Sequence, residues 1–505
     1  MNKEQILWAD DEIDLLKPHI LFLQNKGYEV TTVTNGRDAL DAISQQNFHL
    51  IILDENMPGI SGLEALQQIK IAQPNVPVIM ITKSEEENIM NQAIGSEIAD
   101  YLIKPVNPMQ ILLSIKKNLH SEALVAQKAT SDYQQEFMSI SQQIAMARTI
   151  DDWYQLYNTL VRWELTLSNA ETGMADMLRM QKLEANSAFA KMVKRNYEKW
   201  VTTDDHPLMS NEIFKTQIFP HIDAGEKVCF IVIDNFRLDQ WRTISPLLND
   251  YFNIEKEELY TTILPTATQY ARNAIFSGLM PIDIERMFPE LWVDEDEDEG
   301  KNLNEAPLIQ TILDRYRRKC KFSYNKLNDS AAGERLVQHF AQLKNFDLNV
   351  IVFNFVDILS HARTESKMIR ELAYTDEAYR SLTVTWFKNS YVLEIFKRIA
   401  EQGWKIVLTT DHGTTRVDNA IKVIGDKNTN TNLRYKVGKN LSYNPRQVYE
   451  IKQPKRFGLP LLNVSSTYIF ASGRDFFAYP NNYNHYVQYY NDTFQHGGIS
   501  MEEML

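Results

Sequence analysis

A chain of 505 residues, 44% hydrophobic and 24% charged, is too long for one ordinary core and has the balance of a multidomain globular protein. The net charge of −13 is spread: the first 120 residues hold 16 acids against 9 bases and the remainder is acidic too, so a phosphate-reading surface for direct duplex DNA binding is not expected. With only Cys229 and Cys320, no apolar run near the roughly twenty residues of a membrane helix and no signal peptide at residues 1–5, a cytoplasmic protein without disulfides, thiolate zinc cage or membrane anchor is expected.

In chain order, strand-like apolar runs recur at 5–8, 28–33, 50–53, 76–81 and 101–103, with helical patterns between them. Five strands alternating with helices predict a flavodoxin-like, doubly wound parallel sheet. Polar residues stand where strands end: Asp10 and Asp11, Asp54, Thr82 and Lys104. Three acids at one sheet edge would bind a hard cation such as Mg²⁺. On Leu53-Asp54-Glu55-Asn56-Met57-Pro58-Gly59, Lys104-Pro105, Thr82 and Tyr101, residues 1–120 resemble the receiver domain of two-component response regulators. The resemblance implies that Asp54 accepts a phosphoryl group from a cognate histidine kinase and that Asp10, Asp11 and Asp54 hold Mg²⁺. It also implies that Thr82, Tyr101 and Lys104 are the switch residues. Phosphoryl transfer needs positioning and charge neutralisation, so Lys104 would pair with the new phosphate and Thr82 would move to bond it. Trp8-Ala9 ahead of the acids departs from the family's smaller residues and reads as packing variation.

Residues 121–205 are nearly free of Gly and Pro, which favours long helices. Trp153, Leu156, Tyr157, Leu160 and Trp163 recur at helical spacing after Asp151 and Asp152, which are read as capping and charging the first turn. A second stripe runs through Met177, Leu178, Phe189, Met192, Val193 and Tyr197. A helical bundle of about three helices is predicted, either a spacer or a relay for the receiver's state.

Residues 206–505 form the third part. The apolar run 228–233 delivers Asp234, the run 350–356 is read as a strand leading to Asp357 and then His361, and the run 405–408 leads to Asp411, His412 and Gly413. Between them lies Pro265-Thr266-Ala267-Thr268, a turn into a helix whose start favours an anion, with Arg272 one turn on as a candidate substrate-phosphate ligand. His496 precedes Gly497-Gly498. Aspartate and histidine without cysteine suit Zn²⁺ or Mn²⁺ in an open catalytic site, and six ligands suffice for two ions that clamp an in-line displacement. Metal coordination would deprotonate a threonine hydroxyl.

The order Asp, Pro-Thr-x-Thr, Asp-x-x-x-His, Asp-His-Gly, His-Gly resembles the alkaline phosphatase superfamily and, within it, PglZ domains. The resemblance implies one zinc ion on Asp357, His361 and His496, and another on Asp234, Asp411, His412 and Thr268. Thr268 would be the nucleophile, with Thr266 the rival within the same motif. A receiver, a helical bundle linker and a large α/β PglZ domain in this order resemble the PorX-type response regulators linked in Bacteroidetes to type IX secretion. That implies a PorY-type sensor kinase, a sigma factor partner, and phosphodiesterase action on nucleotides or oligonucleotides, cyclic ones included. A homodimer on phosphorylation is expected, which sedimentation with a phosphoryl mimic reads out. The competing readings are a protein-binding transcriptional regulator whose metal site is structural, and a phosphomonoesterase on the same two-metal core. Two further stretches carry charge: the acidic run Asp294 to Glu299, read as a solvated loop, and a locally basic insertion at 426–460, read as steering an anionic substrate or as plain surface.

Overall fold

A computed structural model describes residues 3–83, 87–95, 98–168, 172–294, 302–426, 429–463, 465–481 and 483–505. The chain divides into two compact units, Met1–Ala129 and Thr130–Leu505.

In the first unit, β1 (Gln5–Ala9), β2 (Glu29–Val33), β3 (Leu50–Asp54), β4 (Val78–Thr82) and β5 (Asp100–Ile103) pair in parallel in the order β2-β1-β3-β4-β5. Helices α1 (Lys17–Asn25), α2 (Gly36–Gln45), α3 (Gly62–Ala72), α4 (Glu87–Gly95) and the start of α5 (Pro108–Met146) connect and cover the strands. Strands covered on both faces read as continuous apolar runs. Leu7, Ala9, Ile51, Leu53, Val78 and Met80 enter one core, while Ile6, Trp8, Leu50, Ile52, Ile79 and Ile81 enter the other. Trp8 is fully buried there and meets His19 edge-on at 6.4 Å. At the start of α3, a Cβ on Gly62 would lie 2.2 Å from the Asp54 carbonyl oxygen, so only glycine lets this helix approach the end of β3.

The second unit begins with helices. α6 (Ile150–Thr166) is capped by Thr149, whose Oγ1 accepts from the Asp152 amide at 3.2 Å while Asp152 accepts from Thr149 N at 2.8 Å. The cap is therefore Thr149, with Asp152 as its partner, because only the residue ahead of the helical turn has the extended backbone that aims a side chain at the free amides. Trp153, Leu156, Tyr157, Leu160 and Trp163 are buried, as are Leu178, Phe189, Val193 and Tyr197 on α7 (Thr172–Thr202). Tyr133 of α5 closes this core, donating to Gln181 at 2.9 Å beside the Trp163 ring.

Beyond it, β6 (Val228–Ile233), β7 (Phe322–Leu327), β8 (Leu348–Phe353) and β9 (Lys405–Thr409) form a parallel sheet in the order β7-β8-β6-β9. β6 and β8 are central and buried throughout, which aligns the ends of β6, β8 and β9 at one edge. One expectation is corrected here. The strand stops at Phe353, and Asp357 lies in the first turn of α9 (Phe355–Glu365) rather than at a strand end; the earlier helix that opens the threonine motif is α8 (Thr268–Ser277). Phe355 and Val356 are apolar because they face the core from the helix, so the run looks unbroken in sequence. The chain closes on the short helix α10 (Met501–Met504).

Candidate active site and phosphoacceptor site

At the carboxyl ends of β1 and β3, one carboxylate oxygen each from Asp10, Asp11 and Asp54 lies within 4.8 Å of the others. Lys104 Nζ donates to Asp10 at 2.8 Å and to Asp54 Oδ2 at 2.7 Å, leaving Asp54 Oδ1 buried with no hydrogen bond. Burial raises the Asp54 carboxyl above its usual range; Lys104 opposes this and the Asp10 charge adds to it. A carboxylate held by one lysine, with a bare oxygen beside two more acids, suits phosphoryl acceptance and a hard cation. Thr82 is buried and donates to Glu55 Oε2; Tyr101 stands half-buried beside it. Glu55, part of the quoted motif, is the acceptor for this hydroxyl.

In the second unit, Asp234, Asp411 and His412 bring ligand atoms within 4.8 Å of one another, and Asp357, His361 and His496 do the same. Asp234 follows β6, and Asp411 and His412 follow β9. Asp357 and His361 share a face of α9, one turn apart, with Oδ2 and Nε2 3.5 Å apart. His412 Nδ1 is 3.1 Å from the Gly413 carbonyl and His496 Nδ1 is 3.2 Å from that of Thr266. A carbonyl accepts only, so both Nδ1 atoms carry the proton and both Nε2 lone pairs face the carboxylates. Burial, then the neighbouring His412, pushes the His496 imidazole down to about 3, so it is neutral and ready to ligate near pH 7. The two rings stack at 4.3 Å. Imidazoles and convergent carboxylates without cysteine form a donor set that fits two zinc ions.

Thr268, the first residue of α8, places Oγ1 3.1 Å from His412 Nε2 and 3.4 Å from Asp234 Oδ1 and is half-buried. Thr266 is fully buried: its Oγ1 donates to the Gly498 carbonyl at 2.9 Å and accepts from Gly497 N at 3.1 Å. Its hydroxyl is committed to holding the His496 loop.

The structure corrects the expectation for Arg272. This side chain is 1% exposed and lies behind the ligands, with Nη2 against Asp234 and Asp411 and Nη1 3.2 Å from Glu305. One turn of helix separates it from Thr268, but its length carries the guanidinium to the protein side of the carboxylates instead of the cleft. Arg434 and Lys436 are likewise buried, on Glu503 and on the Asn430 carbonyl, so these two cations of the 426–460 insertion steer nothing. In the acidic run only Asp294, which is exposed, is described; residues 295–299 lie outside the described residues.

Asn235 carries a role that no motif announces. Its backbone is left-handed (φ 59°), its amide donates to Asp411 Oδ1 at 3.3 Å, and its Nδ2 donates to Asp357 Oδ1 and Ser360 Oγ, each at 3.1 Å. One residue thus ties the two clusters together. Asn235→Gly keeps the left-handed backbone and its amide but deletes the link to Asp357. Zinc on Asp357, His361 and His496 is expected to bind about 10- to 100-fold more weakly in this variant, as competition with a chromophoric chelator would measure. Unchanged affinity there would mean that the link carries nothing.

No helix among the described residues is long and apolar enough to cross a membrane. Family models match three stretches: residues 6–116 as a response regulator receiver domain, 123–201 as a PorX response regulator linker domain, and 213–505 as a BREX system PglZ alkaline phosphatase-like domain. Their order is the one expected from the sequence. The chain is 32% identical over 115 residues to the transcriptional regulatory protein ResD of Bacillus subtilis, covering 23% of this chain and 48% of that protein. It is 27% identical over 258 residues to the transcriptional regulatory protein ZraR of Klebsiella oxytoca, covering 49% of this chain and 56% of that protein. It therefore spans about half the length of these curated relatives. Among solved structures, the chemotaxis response regulator CheY4 of Vibrio cholerae aligns at 28% identity and a TM-score of 0.23, over 23% of this chain and 100% of that one. With its PglZ match extending over residues 213–505, more than half of its length, the chain belongs to the PglZ family of alkaline phosphatase-like domains, here joined to a response regulator receiver domain.

Proposed function

We propose that the protein is a phosphorylation-controlled, zinc-dependent phosphodiesterase acting on nucleotides or oligonucleotides, cyclic ones included. The observation that carries this reading is the Thr268 hydroxyl standing against Asp234 and His412, with a second Asp-His-His set tied to the first through Asn235. Zinc bound at the two sets would supply Lewis-acid activation and neutralise charge at phosphorus. Thr268 Oγ1 forms a bond to phosphorus as one ester P–O bond breaks, and its proton leaves with the departing alcohol. Water then cleaves the P–O bond to threonine in the covalent intermediate, which still carries the second ester group, releasing a monoester and restoring the hydroxyl. The turn at 265–267 holds Thr268 at the start of α8, where free amides favour the anionic phosphate. Asp54 takes the phosphoryl group that sets the control, with Mg²⁺ on Asp10, Asp11 and Asp54. The receiver match supports a sensor histidine kinase as partner; a PorY-type kinase, a sigma factor partner, a phosphorylation-dependent homodimer and a link to type IX secretion are proposed with it, on the resemblance to PorX-type regulators.

The test compares a chromogenic phosphodiester with the matching monoester on the zinc-loaded full chain. Diester turnover that a chelator removes and added zinc restores is expected, with the monoester slower. Absence of turnover on both, in folded protein carrying two zinc ions, would give the weight to a regulator that acts by binding proteins.

A further inference from the structure

The short helix α10 touches the His412 loop, the His496 loop and the segment that leads into the threonine motif. Gly413, next to His412, donates its amide to the Glu503 carbonyl at 3.2 Å, and a Cβ on Gly413 would lie 1.9 Å from the Glu502 carbonyl oxygen. Gly498, two residues past His496, donates to Glu503 Oε1 at 2.9 Å. Thr262, which leads into the threonine motif, donates its amide to the Met504 carbonyl at 2.8 Å and its hydroxyl to the Asp411 carbonyl at 3.2 Å. Arg434 clamps the Glu503 carboxylate from Nε at 3.0 Å and from Nη2 at 2.6 Å. All four residues of α10 are buried.

The opposite side of α10 is held by the linker helices, over 300 residues away in sequence. Asn186 of α7 accepts from Met501 N at 2.8 Å and donates to Glu502 Oε2 at 2.9 Å. Lys182, one turn earlier, lies 3.3 Å from Glu502 Oε1 and 2.6 Å from Glu164 Oε2 of α6. Glu164 passes the chain of charges to Arg380 at 2.8 Å, and Arg380 to Asp239 at 3.1 Å. Asn186 and Glu502 are both buried, so neither finds a substitute partner in water.

We infer that α7 of the linker is part of the catalytic scaffold, with Asn186 acting through α10 as a positioning residue for the His412 and His496 loops. This rests on the proposed hydrolysis for its kinetic reading and on geometry alone for its metal reading. A spacer needs only to keep two domains apart; a helix that hydrogen-bonds both the backbone and the side chain of α10 restrains where the ligand loops sit. Displacements well under 1 Å matter at such a site, because ligand atoms must meet both ions at once.

The experiment uses the full chain with Asn186→Asp, Glu502→Gln and the two together. Asn186→Asp sets a second carboxylate against Glu502. The double variant restores a donor facing an acceptor, with the amide and the carboxylate exchanged. Asn186→Asp is expected to weaken zinc binding and lower kcat, each roughly 10- to 100-fold, with KM little changed, and the double variant to recover most of both. Asn186→Ala, which removes both bonds without adding charge, is read in the same way should the aspartate variant fold poorly. Single variants matching the unsubstituted chain in zinc affinity and in kcat per zinc-loaded molecule would overturn the inference, as would a double variant no better than its singles. If the unsubstituted chain turns over no diester, the proposed function fails while the zinc affinities of the same variants still decide the latch.

Discussion

Thr268→Ala is expected to lower diester turnover by on the order of 10³-fold or more, while the protein keeps its fold and most of its bound zinc. The hydroxyl is the only group on α8 that meets both Asp234 and His412, and its removal takes away the atom that would bond to phosphorus. Alanine is a good helix residue at this first position, so the backbone of α8 is undisturbed. Thr268→Ser keeps the oxygen and is expected to retain measurable turnover. Acid-quenched mass spectrometry should find the diester less one alcohol, a phosphoryl group still carrying its second ester, on the peptide bearing Thr268 in the unsubstituted chain and not in the alanine variant. Thr266→Val gives the opposite pattern. It leaves the Gly497 amide and the Gly498 carbonyl buried without their partner, at about 1–3 kcal/mol for an unpaired group, so the protein melts earlier. Any loss of rate then follows from displacement of His496. Turnover by Thr268→Ala near the unsubstituted level would exclude this residue as the nucleophile.

Much of this arrangement is legible in sequence because buried parallel strands are continuous apolar runs and their polar successors must stand at one edge. Asp54, Asp234, Asp411 and Lys104 are all of this kind. Asp357 is where the rule misleads: β8 stops at Phe353 and Asn354 stands ahead of the helix, yet Phe355 and Val356 continue the apolar run from inside it, so no change of period marks the boundary. Asn235 is illegible for another reason. Its role depends on a left-handed backbone, and an asparagine after a strand reads as an ordinary turn until that angle is known. Asn186 and Glu502 lie 316 positions apart, and nothing local in α7 or α10 announces that they meet. Arg272 is the case of correct spacing with the wrong consequence, since periodicity gives a helix face but not which side of a ligand set the face lies on.

Arg272→Met is expected to destabilise the zinc-free protein by about 3–5 kcal/mol, the usual effect of removing one partner from a buried charge cluster. Asp234, Asp411 and Glu305 surround the guanidinium where water does not reach, and its loss takes a positive partner from each. Glu305 keeps Lys326 at 2.9 Å and the Tyr324 hydroxyl at 2.6 Å, so the burden falls on the two site aspartates. Burial already raises the Asp234 carboxyl, with Arg272 opposing and Asp411 reinforcing, so without the arginine it rises further. A folded-state carboxyl lifted above its unfolded value is most stabilising at low pH, and that stability is lost as pH rises through the lifted value. The variant should therefore melt progressively lower as pH increases through that range in the presence of chelator. Zinc supplies positive charge to the same aspartates and stabilises the folded state by linkage, so its addition should raise Tm more in the variant than in the unsubstituted chain. At matched zinc occupancy KM is expected to stay within about twofold, since the guanidinium does not reach the cleft. An unchanged Tm in chelator together with a strongly raised KM would instead place Arg272 on the substrate phosphate and overturn the buried arrangement.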